Sequence, residues 1–236
     1  MKITVRTCDK YDFLLPGFVW LFNKYWPAPL EQPVTIIGFR EPPWMASFGP
    51  RFDFVSLGKD DRPWTSSMHP YYASLKDHCV TFFYEDYWLV EPVKMDSVEL
   101  MIDEVNKGAA KGDLSNNTNY FQHSAYPHPK YDMVIANNMA QYRISTQPCI
   151  WRRDYLVKAL NPAGLDPWAF EIYNDRMTND GERIVGLKYQ SYVYANVYYK
   201  GGVDVGQVTK LTPEDRAALV KMGYTKLEQG SLEYTP

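Results

Sequence analysis

The hydrophobic period changes twice before residue 40, and no other stretch constrains the fold as much. Residues 2–7 alternate as a short strand, residues 13–26 place Leu14, Phe18, Leu21, Phe22 and Tyr25 at spacings of three and four, and residues 33–39 return to a β-branched run. Pro16 fits the first turn of the intervening helix, and Pro27 and Pro29 stop it. A strand, a helix and a strand with short connections make a parallel βαβ unit, whose loops gather at the C-terminal ends of its strands into a ligand crevice. Thr7, Asp9, Tyr11 and Arg40 all fall on that rim.

A second stretch narrows the chemistry. Residues 80–90, V-T-F-F-Y-E-D-Y-W-L-V, read as a strand covered on both faces, interrupted by Glu85 and Asp86. Adjacent side chains on a strand point to opposite faces, so at most one of the two acids could stay in the core. The pair therefore marks the strand's end, where carboxylates can reach a cation without stranding a charge in a dry interior. A strand-end pair facing water or an arginine would have the same sequence.

The 236 residues are enough for one large core and read as one domain. The 19 Tyr and 7 Trp must pack in that core or line a groove with one polar edge exposed. A formal charge of −3 supplies no basic field for a phosphate backbone, which weighs against nonspecific nucleic-acid binding and favours small-molecule partners. Cys8, Cys79 and Cys149, far apart in apolar stretches, read as free thiols of a reducing compartment. The four histidines have no spacing suited to zinc. No run approaches about 18 apolar residues, and M-K-I-T-V-R opens without a secretory apolar region, so the expectation is a cytoplasmic protein with no membrane span.

The remaining elements follow the same patterns. Residues 52–57 read as a third strand, residues 58–67 as a polar loop holding Asp60, Asp61 and Trp64, and residues 68–76 as a helix. Residues 95–106 have a helical apolar face with Asp96 as N-cap, and residues 108–130 read as a long polar loop. Residues 142–147 read as a strand, 148–151 as a junction and 154–160 as a short helix. Glu171 stands among Trp168, Phe170 and Tyr173, a flank that would raise its pKa by desolvation. Residues 191–199 form a Tyr-rich strand, and a helical tail from about residue 212 opens on the capping box Thr212-Pro213-Glu214-Asp215.

Four segments in this order resemble small glycosyltransferase-like proteins with a GT-A fold, of the kind found in bacterial surface-polysaccharide clusters and in phages. They are T-C-D-K-Y-D-F with K-Y-W after the first helix, S-L-G-K-D-D-R-P-W-T-S-S, F-F-Y-E-D-Y-W-L, and I-S-T-Q-P-C-I-W-R-R-D-Y-L followed by P-W-A-F-E. The resemblance implies an α/β, single-domain GT-A-like (Rossmann-like) mixed sheet, mostly parallel and flanked by helices. It implies sugar transfer from a nucleotide-sugar donor, a UDP-sugar by expectation, to an acceptor hydroxyl, inverting and metal-assisted. Glu85-Asp86-Tyr87 fills the slot of the family's D-x-D motif, with Tyr87 where the second Asp would stand; Asp86, then Glu85, would hold Mn²⁺ or Mg²⁺. A late His often completes that shell in the family, and none follows His128.

Glu171 matches the acceptor-side acid, the general base of an inverting transfer. Thr7, Asp9, Tyr11 and Arg40 would hold the donor's base and ribose, Asp60, Asp61 and Trp64 would close over the nucleotide or sugar, and Arg143, Arg152 and Arg153 would meet the diphosphate. The same residues allow blander readings, with Glu171 paired to Arg152 or Arg153 and Trp64 as a loop anchor. Two other functions share the motifs: a phage DNA glycosyltransferase acting on a hydroxymethylated base, and a catalytically silent GT-A-like protein that binds a carbohydrate or a partner.

Overall fold

A computed structural model describes residues 1–27, 32–59, 62–120, 122–161, 164–172, 179–199, 202–225 and 233–234. Strands β1 (Ile3–Arg6), β2 (Val34–Gly38) and β3 (Phe52–Ser56) pair in parallel, with Ile3 opposite Val34 and Val34 opposite Phe52. Helix α1 (Leu15–Tyr25) is the crossover, with Pro16 in its first turn and Phe18, Leu21 and Phe22 buried against the sheet. On the other side of β1 lies β4 (Cys79–Tyr84), also parallel. The chain then turns through Glu85 and Asp86 into β5 (Tyr87–Leu89).

Strands β6 (Lys111–Asp113), β7 (His123–Tyr126), β8 (Met133–Ala136), β9 (Cys149–Arg152) and β10 (Ile184–Leu187) complete a nine-stranded sheet in the order β3-β2-β1-β4-β9-β6-β10-β8-β7. The pairings make β8 and β9 the strands that run against the rest, so the sheet is mixed and mostly parallel. Helices α1 and α3 (Met95–Asn106) cover one face, and α2 (Trp64–Ser74), α4 (Arg153–Leu160) and α5 (Pro167–Ile172) cover the other. Strand β4 feeds both layers, sending Phe83 into the first core and Phe82 into the second. That two-sided burial is why its sequence is apolar almost without a break. Among the described residues no helix is long and apolar enough to cross a membrane.

Several elements differ from the sequence expectation, each for a tertiary reason. The stretch 108–130 is not a loop: it carries β6 and β7, and β6 lies inside the sheet. Its two buried charges are satisfied internally, with Lys111 donating to the Ser145 carbonyl at 2.5 Å and Asp113 accepting from Ser115 and Thr118. Residues 142–144 form a turn and 145–147 an irregular segment, and the supposed junction is strand β9, antiparallel to β4. Helix α2 begins at Trp64, inside the expected polar loop, because that ring packs on Phe82 and Phe170. Lys94, not Asp96, is the N-cap of α3, and Asp96 accepts from the Ser97 backbone within the first turn.

Strand β11 (Tyr194–Asn196) leaves the main sheet to pair with β5, and α6 (Val205–Val208) and α7 (Pro213–Lys221) follow it. The expected cap is present, Thr212 Oγ1 accepting from the Asp215 backbone at 3.1 Å. Asp215 itself is fully buried and accepts from Lys24 and, at 2.6 Å, from Tyr25, tying α7 to α1. Burial alone would raise its pKa, but hydrogen bonds from Lys24, Tyr25 and Thr212 outweigh burial and hold the carboxyl below its ordinary value. Asp215→Ala is expected to cost about 2–3 kcal/mol, since it strands the Tyr25 hydroxyl. A carboxyl depressed on folding stabilises above its unfolded pKa, so the gap between wild type and variant narrows as pH falls below about 4. Thermal melts of both proteins between pH 3 and 7 measure it.

Candidate active site

The site follows from where β4 stops. Arg6, the last residue of β1, stands opposite Tyr84, the last residue of β4, so two neighbouring parallel strands end side by side. The next two residues, Glu85 and Asp86, are pinned as the chain departs: Trp88 Nε1 donates to the Glu85 carbonyl at 3.0 Å, and the Val197 backbone donates to the Asp86 carbonyl at 3.0 Å. Trp88 in turn packs on α1 at Gly17, where any Cβ would meet the indole at 2.4 Å. A cleft of about 600 Å³ opens at these strand ends. Thr7, Cys8 and Tyr11 form one side of it, Glu85, Asp86 and Tyr87 another, and Thr146, Trp168 and Glu171 close it.

The acid pair is incompletely compensated, the charge of Arg6 acting on Glu85 but not on Asp86. Glu85 is 4% exposed, and burial, then the neighbouring Asp86, push its pKa well above the ordinary range against the pull of Arg6 and Thr7. Burial pushes Asp86 up to about 7. Among the described residues neither has an ion-pair partner within 4.0 Å. A divalent cation would relieve both, and hard carboxylate oxygens suit Mg²⁺ or Mn²⁺. Among the described residues no three of His, Cys, Asp and Glu converge as a metal centre. The donor set therefore fits a cation that takes its remaining ligands from elsewhere, as Mg²⁺ does when it bridges one or two carboxylates and substrate phosphates.

Glu171 is positioned independently of that pair. Thr146 donates to its Oε1 twice, from the backbone and, at 2.6 Å, from Oγ1. Its aromatic flank does not enclose it: Trp168 is 55% exposed, Phe170 is buried against Trp64, and Tyr173 lies outside the described residues. Among the described residues the buried Tyr84 hydroxyl has no hydrogen-bond partner, and its pKa is pushed well above the usual phenol range by burial and then by Glu171.

Neither a family model nor a curated protein matches the sequence. Solved structures do. The chain superposes over 81% of its length on residues 1–349 of TarS from S. aureus, with a TM-score of 0.53 and 13% identity, covering 59% of that chain. It superposes over 94% on the mannosyltransferase PcManGT from Pyrobaculum calidifontis in complex with GDP-Man and Mn²⁺, with a TM-score of 0.51 and 10% identity, covering 64% of that chain. The fold is GT-A-like. The chain thus spans less than two thirds of both of these relatives in fold. It also superposes over 93% on CMP:2-keto-3-deoxy-manno-octonic acid synthetase complexed with CTP, with a TM-score of 0.50 and 11% identity, covering 98% of that chain.

Within the GT-A-like cleft the structure brings together Thr7, Tyr11, Trp64, Glu85, Asp86 and Glu171. It leaves others outside. Asp9 and Arg40 engage each other, the Arg40 backbone donating to Asp9 Oδ1 at 3.0 Å, and so tie the loop after β1 to the end of β2. Arg143 is buried on Asp180 at 2.9 Å and on the Tyr155 hydroxyl at 3.2 Å, Arg152 pairs with Glu182 and Asp154, and Arg153 donates to the Leu75 carbonyl. Neither Arg152 nor Arg153 pairs with Glu171. Trp64 is both a packing anchor and a cleft residue. Asp60 and Asp61 lie outside the described residues.

The cations that do line the GT-A-like cleft are Arg6 and Lys10, which the sequence reading passed over. Arg6 is 5% exposed, lies 4.8 Å over the Phe39 ring and keeps a buried Nε that has no partner among the described residues. Its signal was available, since an arginine closing an otherwise apolar strand is costly unless it faces a charge. Gln147 and Asn196 were also missed, each a lone amide among aromatic residues.

Proposed function

We propose that the protein transfers a sugar from a nucleotide-sugar donor to an acceptor hydroxyl, with inversion. The observation that carries this reading is the division of carboxylates in one cleft: an incompletely compensated pair, Glu85 and Asp86, and a separately oriented third, Glu171. Transfer of this kind needs both, one to manage the leaving diphosphate and one to take a proton. The mannosyltransferase in the same fold, solved with GDP-Man and Mn²⁺, supports it.

Thr7, Tyr11 and Trp64 receive the nucleotide. Asp86 and Glu85 would hold a divalent cation, which when bound neutralises charge on the leaving diphosphate. Arg6 adds a fixed positive charge at the cleft floor. Thr146 holds Glu171 so that it accepts the proton of the attacking hydroxyl as that oxygen bonds to the anomeric carbon. The bond from that carbon to the diphosphate breaks, and the nucleoside diphosphate leaves with its electron pair.

Trp168, three residues before Glu171 and so on the same helix face, is exposed where an acceptor ring would lie. Trp168→Ala is expected to raise the acceptor KM about 5–10-fold with donor affinity unchanged, the worth of one aromatic face. Residues 164–172 carry Asp166 and Glu171 without a Lys or Arg, which favours a glycan acceptor over the phosphate backbone of DNA. The free cysteines support a reducing, cytoplasmic setting.

Thermal-shift titration with UDP-, GDP- and CMP-sugars, with and without Mn²⁺, identifies the donor, because a ligand of the folded state raises its stability. No shift with any nucleoside diphosphate favours the catalytically silent reading. The near-complete span of the CTP-bound synthetase supports a second enzyme reading, nucleotidyl transfer. Release of pyrophosphate from CTP in the presence of a sugar acid, without sugar transfer, would replace the first reading by this one.

A further inference from the structure

Asn196 stands opposite Tyr87 in the β5–β11 ribbon, and the tip of its carboxamide lies 3.0 Å from Asp86 Oδ2 and 3.1 Å from the Tyr198 carbonyl oxygen. With its nitrogen at that tip the amide donates to both acceptors. Turned half a revolution about its last side-chain bond, it presents its oxygen at the same point, 3.0 Å from Asp86 Oδ2 and 3.1 Å from the Tyr198 carbonyl oxygen, so that three oxygens crowd together there. Such a cluster is repulsive unless a cation lies among them. Adjacent ligand oxygens of an octahedral Mg²⁺ shell, with bonds of about 2.0–2.1 Å, stand about 3.0 Å apart.

We propose that Asn196 Oδ1 and the Tyr198 carbonyl join Asp86 Oδ2 as ligands of a divalent cation, and that the Asn196 amide turns over when the cation binds. The inference rests on the cation-assisted reading of the cleft and deepens it. It explains how the acid motif works with Tyr87 in its third place: the oxygen that Tyr87 does not supply comes from its cross-strand partner. It also accounts for the lack, among the described residues, of a triad of acidic, Cys and His side chains, since two of the three oxygens are neutral. Neutral amide and carbonyl oxygens are ordinary ligands of hard cations. The charge of Arg6 already acts on Glu85, which leaves Asp86 as the acid most in need of a counter-charge.

The test is Mn²⁺ binding, read from the loss of the free-ion electron paramagnetic resonance signal, on wild type, Asn196→Leu and Asn196→Asp without nucleotide. Asn196→Leu removes the oxygen at nearly constant volume and is expected to weaken Mn²⁺ at least about 10-fold. Asn196→Asp keeps an oxygen and is expected to bind at least as tightly as wild type. Melting temperatures in a chelator report folding of each variant. In wild type, Mg²⁺ is expected to shift the Asn196 side-chain NH₂ resonances as they leave Asp86. Wild-type affinity in Asn196→Leu, or equal loss in both well-folded variants, overturns the ligand assignment, and an unmoved amide overturns the turn. If wild type binds UDP or GDP but no Mn²⁺ alone or with nucleotide, the cation site fails while the sugar-transfer reading stands. If it binds neither Mn²⁺ nor nucleoside diphosphate, both fail.

Discussion

Glu171→Gln is expected to lower turnover by about 10²–10⁴-fold, the range for a lost general base, while donor affinity stays within about twofold. The substitution keeps the shape of the side chain and an oxygen that accepts from Thr146, so α5 and the turn at Thr146 stay in place. What it removes is the capacity to take a proton. Initial rates at saturating donor and acceptor, with donor affinity measured separately, check both halves of the expectation. Turnover equal to wild type would end the base assignment. A loss confined to donor affinity would move Glu171 to the donor side of the cleft. Thr146→Val, which removes one of the two donors and spares the carboxylate, is expected to be milder than Glu171→Gln.

Asp86→Asn is expected to abolish the Mn²⁺-dependent part of donor binding, with a loss of at least about 100-fold, above the ~10–100-fold typical of an outer-shell partner. The physical reason is the adjacent pair of acids, Glu85 buried and Asp86 half-buried. With Asp86 neutral, Glu85 alone remains, and the charge of Arg6 already acts on it. Removing Asp86 also removes the like charge that helps hold the Glu85 pKa high, so Asp86→Asn is expected to fold as well as wild type or better in the absence of metal. Calorimetric titration of UDP-sugar with Mn²⁺ and with chelator, beside melts of the two proteins, checks both outcomes. Unchanged Mn²⁺-dependent affinity would take Asp86 out of the cation site.

The parts of the fold and site that could be read in advance share a physical character. Strand β1, helix α1, strand β2 and helix α3 are set by apolar spacings that repeat within a few residues, and such patterns need no knowledge of distant partners. The placing of Glu85 and Asp86 at a strand end follows from the alternation of side chains, which forbids two adjacent acids from sharing one buried face. Arg143, Arg152 and Arg153 could not be assigned in the same way. Their charge was legible but their partners were not, and the structure gives those partners as Asp180, Glu182, Asp154 and the Leu75 carbonyl.

By itself the sequence determined the parallel βαβ opening, the acid pair at the end of β4 and the carboxylate of Glu171, because each rests on local period or residue type. Only the tertiary structure decided that a polar stretch supplies inner strand β6, that Arg6 rather than Arg143 lines the cleft, and that Asn196 reaches Asp86. Those outcomes depend on which buried polar group meets which, and a polar side chain is stable in a core only when a partner, often far along the chain, satisfies it.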